Sequence, residues 1–600
     1  MRVEAPARIS LPTPEPRFIE ADGRRLFTWH HAPAPQLRRG AGVVLCPALG
    51  YESMSAYATW RLLAERLASL GFDVLRLDYD GTGNSTGDYD EPGRFDAWLG
   101  SIGAAMDRAR ELAGSSRVGL VGLRAGALLA LQAAAVQGSA DRLVLWSAFP
   151  SGRALVRELK AFARLSRQEH ASEESIELDV NVAGHLLAAD AVKSIGRWTL
   201  EAVTTAPAPR VLLVDRDDRS EDQVITARLE ALGCDVARIR PDGTAAMLAP
   251  PHFAQVPREA LDAIASWLDD WPISAPPVSD DARRRCGPGA RPGGARRLQH
   301  DNQERPVRFG AGNRLFGMLS PPHVDVEGAP SIVLFNTGLE HHVGPHRLYV
   351  SLAREWAAHG HCVLRFDLGG IGDSDLPPGA TGPVAYPGHM LEDAREAIAF
   401  VRSVAPHKPI MAAGLCSGGW LAFCAARDGL DVAAVVAVNP PLYLRDGLAG
   451  KQWFSEADEL ERYHRSMRDP SKWAKALRGA ASYSTFAGLV ASALRRQVAA
   501  WVGVSVRGGL ATDLAVIAGR GVRTLFVFSR GDFGLDYWQL HWDPARAPAL
   551  GECIQHVVVD GAGHSFRPRA AQQKLRELLT HFASWPAAAP THEVTMSDHT

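Results

Sequence analysis

Residues 71–85 read GFDVLRLDYDGTGNS, and 289 residues later positions 360–374 read GHCVLRFDLGGIGDS. Each stretch is a short apolar run that ends at an aspartate, Asp78 or Asp367, and then turns through closely spaced glycines. The same offset relates DGRRLF at 22–27 to AGNRLF at 311–316, and Trp60–Leu67 to Tyr349–Trp356. A constant offset held from residue 22 to residue 85 marks a duplicated domain, and the period is far too long for a solenoid unit.

Outward from that pair, the first half carries apolar runs at 42–47, 73–78, 117–122, 143–147, 210–215 and 235–240. The second half repeats them at 331–336, 361–367, 409–414, 432–438, 523–528 and 554–559. Continuous rather than alternating hydrophobicity suits strands buried on both faces. Stretches with helical periodicity, such as 56–70, 93–113 and 125–137, lie between them. This alternation predicts an α/β chain with a mostly parallel, doubly wound sheet in each half. Residues 19–31 and 308–320 read as leading antiparallel hairpins.

The expected domains are 1–271 and 306–585. The segment 272–305 between them holds seven arginines and few large aliphatic residues. It cannot bury enough surface to offset its ordering entropy, so it reads as a disordered linker. Residues 586–600 read as a loose tail.

The 600 residues are 46% hydrophobic and 22% charged, which excludes wholesale disorder, collagen and coiled coil. Lys+Arg 65 against Asp+Glu 67 leaves a net charge of −2, so no global field draws the chain to nucleic acid or anionic lipid. No apolar run reaches the ~18 residues of a membrane span, and Met1–Pro6 lacks the apolar core of a leader. Seven cysteines without a CxxC read as reduced thiols, and a cytoplasmic location is expected.

In open α/β sheets chemistry sits at the carboxyl ends of strands. Strand 409–414 ends in Gly414-Leu415-Cys416-Ser417-Gly418-Gly419 and runs into a helix-like stretch. This is a G-x-C-x-G turn, the cysteine form of a nucleophile elbow. The glycines let strand and helix pack closely while one side chain is lifted into the cleft, where the helix dipole favours a thiolate. The N–H of Ser417 is one expected oxyanion donor, and Gly338 or Leu339 supplies the second. Cys362 and Cys424 read as structural thiols. A histidine must be held by a carboxylate to take a proton from the nucleophile. His564, in GAGHS after strand 554–559, is the expected base. Asp532, after strand 523–528, is the expected acid, with Asp536 as its competitor.

The first half departs from this pattern. Its elbow, Gly122-Leu123-Arg124-Ala125-Gly126, keeps the glycines but puts Arg124 in the nucleophile slot. A guanidinium stays protonated and cannot attack a carbonyl. Asp218 and His252 match Asp532 and His564 in order. The first half is therefore expected to be noncatalytic, with Arg124, His252 and Asp218 as candidate anion-binding residues. His341, His342 and His346 lack a completing carboxylate or cysteine at recognisable spacing, so no metal is expected. No cofactor is expected either. The glycines at 81–83 and 369–372 lack the full G-x-G-x-x-G and read as tight turns.

At these residues both halves resemble the α/β-hydrolase superfamily, as a tandem duplication. The elbow GLCSGG at 414–419 is also similar to that of dienelactone hydrolases, which use a Cys-His-Asp triad. A closer likeness is to the paired hydrolases associated with exosortase A systems in exopolysaccharide-producing bacteria. Gly122–Ala127 with Gly81–Gly87 resembles one type, and the Cys416 elbow with Val343-Gly344-Pro345-His346-Arg347 resembles the other. The resemblance implies two tandem α/β-hydrolase domains and acyl chemistry by Cys416, His564 and Asp532. An ester or thioester, small or carrier-bound, is the expected substrate, and exopolysaccharide-pathway proteins are the implied partners. Transfer to a sugar or peptide, and a noncatalytic scaffold, stay open as alternatives. The second half has a longer insertion after its elbow, so a larger cap is expected near 444–520, with Trp453, Trp473 and Trp501 in it.

Overall fold

A strand that is apolar along its whole length needs cover on both faces, and each half of the chain supplies it. The computed structural model describes residues 11–138, 140–165, 180–218, 223–272, 304–380, 386, 388–442, 444, 509–542, 550 and 553–584. Most of the expected linker, the tail and the cap residues 445–508 lie outside the described residues.

The first half contains β1 (Glu15–Ala21), β2 (Arg24–His31), β3 (Gly42–Cys46), β4 (Asp73–Leu77), β5 (Val118–Leu123), β6 (Arg142–Trp146), β7 (Val180–Val182), β8 (His185–Leu187), β9 (Arg210–Val214) and β10 (Asp235–Ile239). Eight of them form one sheet in the order β1-β2-β4-β3-β5-β6-β9-β10, while β7 and β8 pair as a separate hairpin. The second half contains β11 (Arg305–Phe309), β12 (Leu315–Ser320), β13 (Ser331–Phe335), β14 (Val363–Phe366), β15 (Ile410–Leu415), β16 (Ala434–Val438), β17 (Arg523–Ser529) and β18 (Ile554–Val559). Their order, β11-β12-β14-β13-β15-β16-β17-β18, repeats the first sheet. The leading hairpin is antiparallel in both sheets, and the six strands from β14 to β18 pair in parallel. Each sheet has a separate apolar layer on either face, with Trp98 and Trp146 on opposite sides of the first and Phe526 and Trp356 on opposite sides of the second.

The repeated glycine turns explain themselves at this level. A Cβ on Gly83 would lie 2.1 Å from Asp78 Oδ2, and one on Gly372 would lie 2.3 Å from Asp367 Oδ2. Ser85 Oγ accepts from Phe27 N at 2.8 Å, and Ser374 Oγ accepts from Phe316 N at 2.8 Å. The turns thus tie the leading hairpin to the end of the next strand, as the reading of tight turns anticipates.

The two halves pack about an approximate dyad. Phe27 and Trp29 meet Phe316 and Met318 in a small apolar cluster, with the Trp29 and Phe316 rings 4.6 Å apart. Phe27 and Phe316 are repeat equivalents, as are Trp29 and Met318. Flanking this cluster, Arg76 Nη2 donates to Asp373 Oδ1 at 2.5 Å, and Arg365 Nη1 donates to Asn84 Oδ1 at 2.9 Å. Arg76 is the equivalent of Arg365 and Asn84 of Asp373, so the contact is reciprocal, as in a two-fold dimer. Burial acts to raise the Asp373 carboxyl, but Arg76, Arg61 and the Tyr57 hydroxyl outweigh it and hold it well below the ordinary range.

A second clamp also repeats across the dyad, where Arg61 Nη1 donates to Gly372 O at 3.0 Å and Ser374 O at 3.3 Å, the repeat equivalents of the Gly83 and Ser85 carbonyls held by Arg347. Arg347, at φ 67°, donates from Nε to Gly83 O at 2.9 Å and from Nη1 to Gly87 O at 2.6 Å and Asp88 Oδ1 at 2.7 Å. The Val343–Arg347 segment of the second half therefore grips the Gly81–Gly87 turn of the first.

One expected boundary moves. Glu304 and Arg305, read as linker, fold with the second domain. Arg305 opens β11, and Glu304 pairs with Arg365 and with Arg354 at 3.2 Å. Burial acts to raise the Glu304 carboxyl, but the two guanidiniums hold it down at about 2. Composition hid this, because the partners lie 50 and 61 residues away.

The Arg76–Asp373 pair is buried, so removing one charge strands the other. Arg76→Met should destabilise the full chain by about 3–5 kcal/mol in urea denaturation, and Arg76→Met with Asp373→Leu should recover a large part of that loss.

Candidate active site

Both elbows have the same backbone. Cys416 sits at φ 56°, ψ −120° between β15 and helix Ser417–Arg427. Arg124 sits at φ 57°, ψ −117° between β5 and helix Ala125–Val136. A non-glycine residue at positive φ is strained, and such strain gathers where a side chain must be presented. The flanking glycines make the turn possible. A Cβ on Gly414 would fall 2.4 Å from the carbonyl carbon of Gly418, and one on Gly418 would fall 2.4 Å from Phe335 O. The same holds at Gly126, where a Cβ would fall 2.2 Å from Pro47 O.

In the second domain three expected residues converge. His564 Nδ1 lies 2.6 Å from Asp532 Oδ2. Asp532 caps helix Phe533–His541, with Oδ1 accepting from Gly534 N at 2.8 Å. Asp536 lies inside that helix, and it is Asp532 that meets the imidazole. Cys416, at the elbow, lies close enough to act on the imidazole charge. Burial acts to lower the imidazole pKa, but Cys416 and Asp532 outweigh it and lift it well above 6.5. Cys362 and Cys424 differ from Cys416: both are fully buried, and burial pushes their thiols to about 11 and about 12.

The expected oxyanion donors differ in what they bond to. The Gly338 N–H donates to Ser417 Oγ at 2.7 Å, so it is already engaged. The N–H of Ser417 opens its helix and has no partner within it. The Leu339 N–H carries no hydrogen bond among the described residues. Of the three N–H groups, that of Gly338 is thus engaged by the Ser417 hydroxyl.

Two residues here escaped the sequence reading. Asn439, at φ 42° just after β16, donates to His564 O at 2.7 Å and to Ser529 Oγ at 3.0 Å. It ties the histidine loop to the end of β17, and nothing in the sequence marks it. Glu340 follows the loop after β13, and its Oε2 is buried without a hydrogen bond. Burial pushes its carboxyl up to about 8, against a lowering by Arg567. A signal is present one residue out of the 289 register: GYE at 50–52 resembles GLE at 338–340. Glu52 bonds to the elbow residue Arg124 at 2.9 Å, whereas the elbow beside Glu340 holds a cysteine.

In the first domain Arg124, Asp218 and His252 do not form one site. Arg124 is buried, bonded to Glu52 and Glu158, with its guanidinium 4.4 Å above the Phe149 ring. Asp218 takes both hydrogen bonds of Arg216 at 2.7 Å. His252 is exposed and packs against the other domain, where a Cβ on Gly338 would lie 2.2 Å from its Cε1. Carboxylates from the oxyanion loop and from helix Gly152–Leu165 reach Arg124 first, and spacing along the chain does not reveal them.

The histidines at 341, 342 and 346 also part company. His342 Nδ1 lies 2.9 Å from Asp367 Oδ2, while His341 stacks on Tyr57 at 4.1 Å and His346 packs against Gly184. Among the described residues no group of three or more His, Cys, Asp or Glu is placed to hold a metal ion.

A family model described as serine aminopeptidase, S33, matches residues 40–180 and 329–477, one segment in each half. Each half has the α/β-hydrolase fold. Among solved structures, ferulic-acid-bound Est1E from Butyrivibrio proteoclasticus is 18% identical, with a TM-score of 0.32, over 42% of this chain and 97% of its own. A lidless α/β serine hydrolase from Xanthomonas campestris is 17% identical, with a TM-score of 0.30, over 44% of this chain and 97% of its own. No curated protein matches the chain in sequence. Among the described residues no helix is long and apolar enough to cross a membrane.

The raised pKa of Glu340 has a consequence for stability. The unfolded chain releases this proton near 4.5, whereas the folded chain keeps it to about 8. Across that window the folded state binds more protons, so this group's contribution falls as pH rises. The melting temperature of Glu340→Gln should therefore gain on that of the native protein between pH 5 and pH 8, as read by thermal denaturation at each pH.

Proposed function

We propose that the second domain hydrolyses an ester or thioester through a Cys416–His564–Asp532 triad, and that the first domain is noncatalytic. The observation that carries this reading is His564, bonded at Nδ1 to Asp532 and with its pKa raised by Cys416 at the elbow. Cys416 gives its proton to His564 and attacks the acyl carbon, forming an acyl-enzyme. The developing oxyanion is met by the N–H groups of Ser417 and Leu339. His564 hands that proton to the leaving group, then takes one from the water that attacks the acyl-enzyme, so that the acid leaves and the Cys416 sulfur is freed beside the protonated imidazole. Asp532 keeps the imidazole oriented and favours its charged form.

The first domain lacks the nucleophile. Its elbow spends Arg124 on two carboxylates instead. The likeness of Gly122–Ala127 and Val343–Arg347 to the paired exosortase-associated hydrolases supports exopolysaccharide-pathway proteins as partners and a small or carrier-bound acyl group as substrate.

Because the members of a triad act as a unit, Cys416→Ala and His564→Ala should each lower the rate by roughly 10³-fold or more. The double variant should lose little beyond either single one. Release of p-nitrophenol from its esters and of free thiol from acyl thioesters measures this, and multiplicative losses would sink the shared mechanism.

A further inference from the structure

The cleft of the first domain is not filled by its own side chains. Beside Arg124 lies a cavity of about 320 Å³, which falls within the size range of small-molecule sites. Its walls are largely apolar, with Leu49, Leu155, Leu159, Phe162, Leu187 and Leu248 among them. At native packing density the space takes about a dozen non-hydrogen atoms.

The polar part of the lining is balanced. It holds two guanidiniums, Arg124 and Arg216, and two carboxylates, Glu52 and Glu158. Arg124 bonds to both carboxylates, and Arg216 approaches Glu158 at 4.0 Å. An incoming anion would meet Glu52 and Glu158 at close range, and a cation would meet the two arginines. A neutral head group that both donates and accepts can join this network without disturbing its charge. One more group points the same way. His185 is 6% exposed, lines the cavity, and its Nδ1 has no hydrogen-bond partner. Burial keeps that ring uncharged, its pKa pushed down to about 4.

From this cavity and its balanced lining, we infer that the first domain is a binding site for an uncharged amphipathic molecule, an aliphatic chain carrying an amide or hydroxyl head. The arginine in the nucleophile slot serves as part of a neutral hydrogen-bonding floor, and the lost catalytic cleft is retained as a binding site. This inference does not rest on chemistry at Cys416.

The test is calorimetric titration of the full chain carrying Cys416→Ala, with octanamide, octanoate and octylammonium as probes. Octanamide should bind at least tenfold more tightly than either charged probe. Ala249→Trp, which fills the cavity from its rim, should weaken octanamide at least tenfold and so separates this cleft from that of the second domain. Glu158→Gln removes one negative charge and should raise octanoate affinity at least tenfold. Octanoate or octylammonium matching octanamide in the otherwise native pocket would overturn the inference. So would octanamide binding that Ala249→Trp leaves unchanged, or no binding of octanamide up to its solubility limit. The comparison of the three probes needs no change in the pocket, so a failure of either pocket variant to fold leaves the test standing.

Discussion

The reciprocal contact of Arg76 with Asp373 and Arg365 with Asn84 sets the arrangement of the whole chain. Two buried guanidiniums must each find an acceptor, because an unpaired buried charge costs several kcal/mol. Arg76 finds its charge partner, Asp373, in the other half, and Arg365 finds Asn84 there beside Glu304 of its own half. Each half therefore needs the other, and the Phe27, Trp29, Phe316 and Met318 cluster seals the contact against water. One asymmetry bears on the charges: the repeat places Asn84 where the second half has Asp373. Arg365 then draws its charge partner from Glu304, at the start of the second domain.

This packing brings the two clefts near each other. Asn181, in the turn-bearing hairpin of β7 and β8, donates to Arg567 O at 3.2 Å, three residues beyond His564. Gln572 donates back to Gly184 O at 3.2 Å. The other face of that hairpin, Val182, His185 and Leu187, lines the first domain's cavity. One short hairpin thus stands between the Arg124 cleft and the loop that carries His564. From the other side, His252 packs against Gly338 in the loop that carries the Leu339 N–H.

The two elbows show how one backbone serves two chemistries. The φ and ψ of Cys416 and Arg124 agree within a few degrees, and the glycines around them are needed for the same steric reason. What differs is the set of groups within reach. Cys416 meets an imidazole held by Asp532. Arg124 meets Glu52 and Glu158, and a group with no proton to lose settles into ion pairs.

The sequence by itself determined the duplication, the strand runs, the two elbows and the order of Cys416, Asp532 and His564. These are local or periodic signals: a fixed offset, continuous apolarity, and glycines at positions where a Cβ cannot fit. Only the tertiary structure decided which groups meet. It chose Asp532 over Asp536, because one caps the helix facing the imidazole and the other lies inside that helix. It assigned Gly338 N to Ser417 Oγ, a pairing across 79 residues that no spacing rule contains. It separated Arg124 from Asp218 and His252, since the carboxylates that neutralise Arg124 come from segments 72 and 34 residues away in the chain. It drew Glu304 out of the apparent linker for the same reason. A buried charge is satisfied by whatever partner the packing brings within reach, and the order of residues along the chain does not record that distance.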